Sequence, residues 1–255
     1  MTMYLNDIIA HKRREVPALK LPDMERTRPV RDPARSLRKR PLIAEIKKCS
    51  PSRGELALSD DITNRALAYE RGGAGAVSVL TDGRFFRGSY LDLAGISRSA
   101  GLPVLCKDFI LAEVQVDSAY LHGADFILLI AAVLNVRELM ILTRRARRYS
   151  MKVLYEIHDA DEMKKIKGLD PELVGVNSRN LTTFEIDYEK AARTISSLRG
   201  DFLRVAESGI ETPEDMNFFR RAGADAFLVG TALMTAGDPE EKVREFCHTL
   251  EAPCS

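Results

Sequence analysis

Five short apolar runs of this chain end in residues able to move protons or hold anions: Glu45 and Lys47, Lys107, Glu156, Asn177 with Arg179, and Glu207 with Ser208. Burying an unpaired ion costs several kcal/mol, so charges placed at the same end of strand-like runs call for a functional reason. Carboxylates interleaved with lysines are the groups needed for general acid and base chemistry on an anionic substrate. Strand residues two apart share a face, so Glu45 and Lys47 align with Ile43, Lys107 with Leu105, Glu156 with Leu154 and Glu207 with Val205. If those apolar partners point inward, the charged groups converge above them.

The elements that must position them are legible. Strand-length runs rich in Val, Ile and Leu occupy residues 41–46, 76–81, 103–107, 125–130, 152–157, 172–177, 202–207 and 225–230. Between them lie helical patterns with capping residues: Asp60 or Asp61 before Ile62, Ala66 and Tyr69 with a Gly72-Gly73 stop, Thr212-Pro213 before Met216 and Phe219, and Asp238-Pro239 before Val243 and Phe246. Eight strand-helix units without a long insertion, in a chain of 255 residues, predict the α/β class and a single (β/α)8 barrel. The motif Gly-Ala before a strand recurs at 73, 123 and 223, an echo of near-equivalent units.

Residues 1–40 stand outside these units as an N-terminal extension, with 41–255 forming the barrel. Leu5, Ile8 and Ile9 predict one amphipathic helix able to cover an end of the barrel, followed by a connector at 26–40 with six Arg and one Lys, expected to be a solvated loop. Arg144, Arg145, Arg147 and Arg148 are expected on the wet face of a helix whose dry face is Val136, Leu139 and Met140.

A barrel places its active site at the carboxyl ends of the strands and commonly binds phosphate in the loops after strands 7 and 8. Ser208-Gly209 and Gly230-Thr231 put small residues there, where backbone N–H groups can approach an oxyanion. The stretch 47–54, rich in cations and hydroxyls, is expected to be a mobile anion-binding lid, and Phe85, Phe86 and Phe109 to be walls for an aromatic group.

Lys plus Arg (38) balances Asp plus Glu (37), so no overall charge draws the chain to nucleic acid or to an anionic membrane. The longest apolar run spans 126–134, well short of the roughly 17 to 25 residues of a membrane helix, and no export pattern opens the chain, so a cytoplasmic protein is expected. Cys49, Cys106, Cys247 and Cys254 form no C-x-x-C pair and the four His no helical i, i+4 pair, so neither a disulfide framework nor a zinc site is signalled.

The strings IAEIKKCSPSRG (43–54), SVLTDGRFFRGS (78–89), PVLCKDFI (103–110), LYEIHD (154–159), GVNSRNLTTFEID (175–187), VAESGI (205–210) and FLVGTALM (227–234) together resemble indole-3-glycerol-phosphate synthases. The resemblance implies a carboxy-lyase of tryptophan biosynthesis that converts 1-(2-carboxyphenylamino)-1-deoxyribulose 5-phosphate into indole-3-glycerol phosphate, carbon dioxide and water, with no metal or organic cofactor. It implies Lys107 as general acid, Glu156 in proton transfer and dehydration, and Glu45 and Lys47 as the pair that orients and polarises the reacting groups. Asn177 and Glu207 would hold the ribulose hydroxyls, Ser50 and Arg179 the carboxylate end, Ser208, Gly209, Gly230 and Thr231 the phosphate, and Phe86 and Phe109 the ring. Cys49, Tyr155 and Ser178 depart from the family's usual residues without removing a proposed catalytic group. A phosphorylated small molecule is the implied partner, with no obligate protein partner.

Two other readings compete. Another phosphosugar barrel, such as a phosphoribosylanthranilate isomerase, has no need of the Lys47, Lys107 and Glu156 set, and product analysis separates it. A non-catalytic phosphometabolite-binding barrel predicts binding without turnover.

Overall fold

Eight parallel strands close on themselves in the computed structural model, which describes residues 4–50, 54–55 and 61–251. They are β1 (Leu42–Ile46), β2 (Ala76–Leu80), β3 (Val104–Lys107), β4 (Phe126–Ile130), β5 (Lys152–Ile157), β6 (Leu173–Asn177), β7 (Leu203–Glu207) and β8 (Ala226–Val229), each within one residue of the run read from sequence. Ile43 of β1 pairs with Ala76 of β2 on one side and Leu228 of β8 on the other, which completes the (β/α)8 barrel.

The helices are α1 (Tyr4–Glu15), α2 (Pro33–Leu37), α3 (Ile62–Gly72), α4 (Gly83–Phe86), α5 (Tyr90–Ser99), α6 (Glu113–Leu121), α7 (Val136–Arg148), α8 (Met163–Ile166), α9 (Tyr188–Ser197), α10 (Pro213–Arg221), α11 (Thr231–Met234) and α12 (Pro239–Glu251). Their ends follow local chemistry. Asp61 accepts from the Thr63 N–H to open α3, which stops at Gly73 in the left-handed region, and Thr212 with Asp215 forms a capping box on α10.

Alternate strand residues divide two apolar layers. One packs strands against the helix ring; the other fills the lumen and contains Ile43, Leu105, Leu154 and Val205. The inward direction of those four fixes the direction of the charged residues two positions on.

The segment before β1 closes both ends. Ile8 and Ile9 of α1 join the lumen layer, while Ala34 and Leu37 of α2 join it from the amino ends of the strands, where Ser36 Oγ donates to the Gly75 carbonyl at 2.6 Å. The connector is not the solvated loop expected from its arginines. Arg26 and Arg28 contact the carboxylate of Asp125, just before β4, at 2.6 and 2.9 Å, and Arg31 donates to the Leu102 carbonyl at 2.6 Å. Asp125 is fully buried, and an ion so placed requires counter-charge.

The reading of α7 is also corrected. Val136 is exposed, the buried face being Leu139, Leu142, Thr143 and Ala146, because the strand-facing stripe begins one turn later. Arg145 is bonded through two nitrogens to Asp117, and Arg147 caps the carbonyls of Leu169 and Asp170.

Candidate active site

The carboxyl ends of the strands open onto a cleft whose empty space, open solvent included, is about 1120 Å³. Glu45 and Lys47 follow from β1, Phe86 from α4, Lys107 and Phe109 from β3, Glu156 from β5, Asn177 and Arg179 from β6, Ser208 and Gly209 with Glu207 from β7, and Gly230 and Thr231 from β8, and all line it. The Ser50 side chain lies outside the described residues, as do residues 51–53 of the expected lid. Its flanks, Cys49–Ser50 and Gly54–Glu55, pair as an antiparallel hairpin, and Lys48 is tied to Asp92 of α5 at 2.7 Å. Cys254 is likewise outside the described residues.

At the centre, Lys107 Nζ lies 3.7 Å from Glu156 Oε2 and 3.9 Å from Glu207 Oε2, and Lys47 Nζ lies 3.0 Å from Glu45 Oε1. Burial opposes the charge of Lys107, but Glu156, Glu207 and Glu45 together outweigh that and hold Lys107 above the ordinary lysine range. The reason is geometric: Glu45 answers the charge of Lys47, while Lys107 faces two further carboxylates.

The carboxylates themselves are driven apart. Burial, then the charge of Glu156, pushes Glu207 well above the usual carboxylate range against the pull of Lys107, and among the described residues neither of its oxygens accepts a hydrogen bond. Burial opposes the charge of Glu45 too, but Lys47 and Lys107 bring it below that range. Glu156 Oε1 accepts from Asn177 Nδ2 at 3.1 Å, and Asn177 Oδ1 accepts from the Arg179 N–H at 2.9 Å. A lysine held above its ordinary range thus stands beside carboxyl groups pushed in opposite directions, Glu45 below and Glu207 above the usual carboxylate range, the separation of proton affinities that acid–base catalysis uses.

Gly230 serves more than its own loop. A Cβ there would stand 2.5 Å from Glu45 Oε1 and 2.8 Å from Lys47 Nζ, so any larger residue would have to shift the ends of the Glu45–Lys47 pair. Phe86 and Phe109 face each other across 6.5 Å between ring centroids. Phe85, expected as a wall, packs instead on His11 of α1, because α4 turns it toward that helix.

Among the apolar lining residues that sequence reasoning missed are Leu5 and Ile8 of α1 and Leu181 and Phe184 of the loop after β6. It also missed Lys12, whose buried Nζ lies 3.0 Å from Asp82 and 2.9 Å from Asp108 and so clamps α1 over the mouth. The Leu5–Ile8 spacing was a signal for a buried helix face, but nothing in it said which end of the barrel that face would meet.

An eight-stranded barrel with converging ionisable groups at the carboxyl ends of its strands and a small-residue rim after β7 and β8 belongs to the enzymatic (β/α)8 class. Comparison with known proteins narrows this. The family model for indole-3-glycerol phosphate synthase matches residues 5–246. Curated relatives of that description from Bacillus cereus (strain AH187) and Bacillus anthracis are each 40% identical over 239 residues, 92% of this chain and 94% of theirs. The chain belongs to the indole-3-glycerol phosphate synthase family.

Solved structures agree on the fold alone. A thiamine phosphate pyrophosphorylase from Pyrococcus furiosus superposes with a TM-score of 0.62 at 16% identity, covering 84% of this chain and 98% of that one. A 3-hexulose-6-phosphate synthase does so with a TM-score of 0.66 at 14% identity, covering 82% and 98%.

Proposed function

We propose that this chain makes indole-3-glycerol phosphate from 1-(2-carboxyphenylamino)-1-deoxyribulose 5-phosphate, and that the cleft residues divide the work as follows. The aromatic ring lies between Phe86 and Phe109, its carboxylate toward Arg179 and Ser50, and the phosphate against Ser208, Gly209, Gly230 and Thr231, with Lys47 adding charge. As the ring carbon that bears the carboxylate attacks the ketone, negative charge develops on the ketone oxygen and Lys107 donates a proton to it.

A lysine held above its ordinary range, chiefly by Glu156, is already loaded for that step. The drive for transfer comes from the oxygen, whose basicity rises as the carbon–carbon bond forms. Loss of carbon dioxide leaves the ring electrons to restore aromaticity. Glu156 then acts in the proton transfer by which the hydroxyl leaves as water, while Asn177 and Glu207 hold the sugar hydroxyls and Glu45 keeps Lys47 in place.

The observation that carries this reading is the position of Lys107 between Glu156 and Glu207, in one cleft with the Glu45–Lys47 pair and the small-residue rim. Indole fluorescence tests it, because the chain contains no Trp and an indole product stands out. Growth of signal on adding the substrate supports the synthase. A flat trace from folded protein and intact substrate, with binding retained, instead favours a phosphometabolite-binding barrel. No helix among the described residues is long and apolar enough to cross a membrane, and we propose a cytoplasmic enzyme acting without an obligate protein partner or cofactor.

A further inference from the structure

Directly after β7 the backbone takes two successive left-handed conformations, Ser208 at φ 66° and Gly209 at φ 80°. A non-glycine residue stays there only where its surroundings hold it. Here the holding groups come from the loop after β6 and the first residue of α9. The Ser178 N–H donates to the Glu207 carbonyl at 3.0 Å, Ser178 Oγ lies 3.1 Å from that carbonyl and 2.9 Å from the carbonyl of Ser208, and the Tyr188 hydroxyl donates to the carbonyl of Gly209 at 2.6 Å.

Three consecutive carbonyls are therefore drawn toward one side. In a trans peptide the N–H points opposite to the carbonyl of the same unit. The N–H groups of Ser208, Gly209 and Ile210 are turned away from Ser178 and Tyr188, and all three residues line the cleft. Among the described residues the N–H groups of Gly209 and Ile210 have no hydrogen-bond acceptor.

Tyr188 is itself held firmly. As the first residue of α9 it packs its ring on Phe218 and Phe219 of α10, with centroids 6.0 and 5.2 Å away, and a Cβ on Gly209 would stand 2.6 Å from that ring. Burial, then the charge of Asp215, pushes its hydroxyl up to about 12, so it remains a donor across the working pH range.

We propose that Tyr188 and Ser178 are positioning residues for oxyanion binding: together they aim the Ser208, Gly209 and Ile210 N–H groups at the substrate's phosphate. The inference rests on the reading of this rim as the phosphate end, and it adds two residues that need not touch the substrate.

The test is a titration of the whole chain with inorganic phosphate, followed by the backbone amide resonances of Gly209 and Ile210, on wild type, Tyr188→Phe, Ser178→Ala and Ser178→Thr. Tyr188→Phe keeps the ring and removes only the donor. Loss of one such bond is expected to weaken phosphate affinity and raise KM by about threefold to tenfold with kcat nearly unchanged. Ser178→Ala is expected to do the same and Ser178→Thr to restore the affinity. Folded variants that titrate phosphate like wild type, whatever their melting temperature, would overturn the brace. If the wild-type amides do not respond to phosphate at all, the reading of the rim fails with it. If Tyr188→Phe does not fold, the Ser178 pair decides by the same criterion.

Discussion

Gly175 of β6 and the carboxylate of Glu207 on β7 compete for one space: a Cβ on Gly175 would stand 2.9 Å from Glu207 Cδ and closer still to Oε1. The glycine is required here by room for a neighbour's side chain, not by a turn. Gly175→Ala is expected to push Glu207 off Lys107 and lower kcat by roughly a hundredfold, since displacements of about 1 Å carry that penalty, with a stability loss of about 1 to 3 kcal/mol. Steady-state kinetics and urea unfolding measure both. Unchanged kcat would show that the placement of Glu207 is not needed.

Lys107 is the only lysine lying between two carboxylates among the described cleft residues. Lys107→Ala is expected to lower kcat by about 10² to 10⁴, the usual worth of a general acid, with a much smaller change in KM. Lys107→Arg keeps the charge but holds its proton too tightly to restore turnover. Single-turnover kinetics of ring closure are the check, and an active Arg variant would reduce Lys107 to an electrostatic role.

Glu207 carries a pH signature. Its folded carboxyl titrates well above the unfolded value, so above the ordinary carboxylate range the native state keeps a proton that the unfolded chain has lost. Stability therefore falls as pH rises between the unfolded and folded values. Glu207→Gln removes that loss, and its stability relative to wild type is expected to grow from about pH 5 to about pH 8 while activity drops. Urea midpoints at both pH values decide it, and parallel curves would contradict a raised Glu207.

Lys12 is buried between Asp82 and Asp108, and Asp82 also caps α4 by accepting from the Phe85 N–H at 2.6 Å. Lys12→Met leaves two buried carboxylates without a cation, which typically costs about 3 to 5 kcal/mol. Because Leu5 and Ile8 sit on the same helix and line the cleft, KM is expected to rise as α1 loosens. Chemical denaturation and KM together test the clamp, and a stability loss with KM unchanged would make α1 a cover without a role in binding.

The barrel was legible from residues 41–234 because each strand carries its own run of Val, Ile and Leu and each helix its own cap, as at Asp61 and Thr212. Local sterics and hydrogen bonding act within a few residues and leave their mark there. Period-two parity in the strands likewise places Glu45, Lys47, Lys107, Glu156 and Glu207 on one face. The α1 helix was legible as a helix, but its docking at the carboxyl ends was not, because a single apolar stripe suits either end of a barrel.

The order of elements and the inward residues thus followed from the chain's own pattern of apolar and polar positions. Closure of the barrel alone decided which charges meet. The proton affinities of Lys107 and Glu207, the buried answer of Asp125 to Arg26 and Arg28, and the glycines that make room beneath Glu207 and Glu45 depend on distances across the barrel and on the water removed there. Neither is a function of spacing along the sequence.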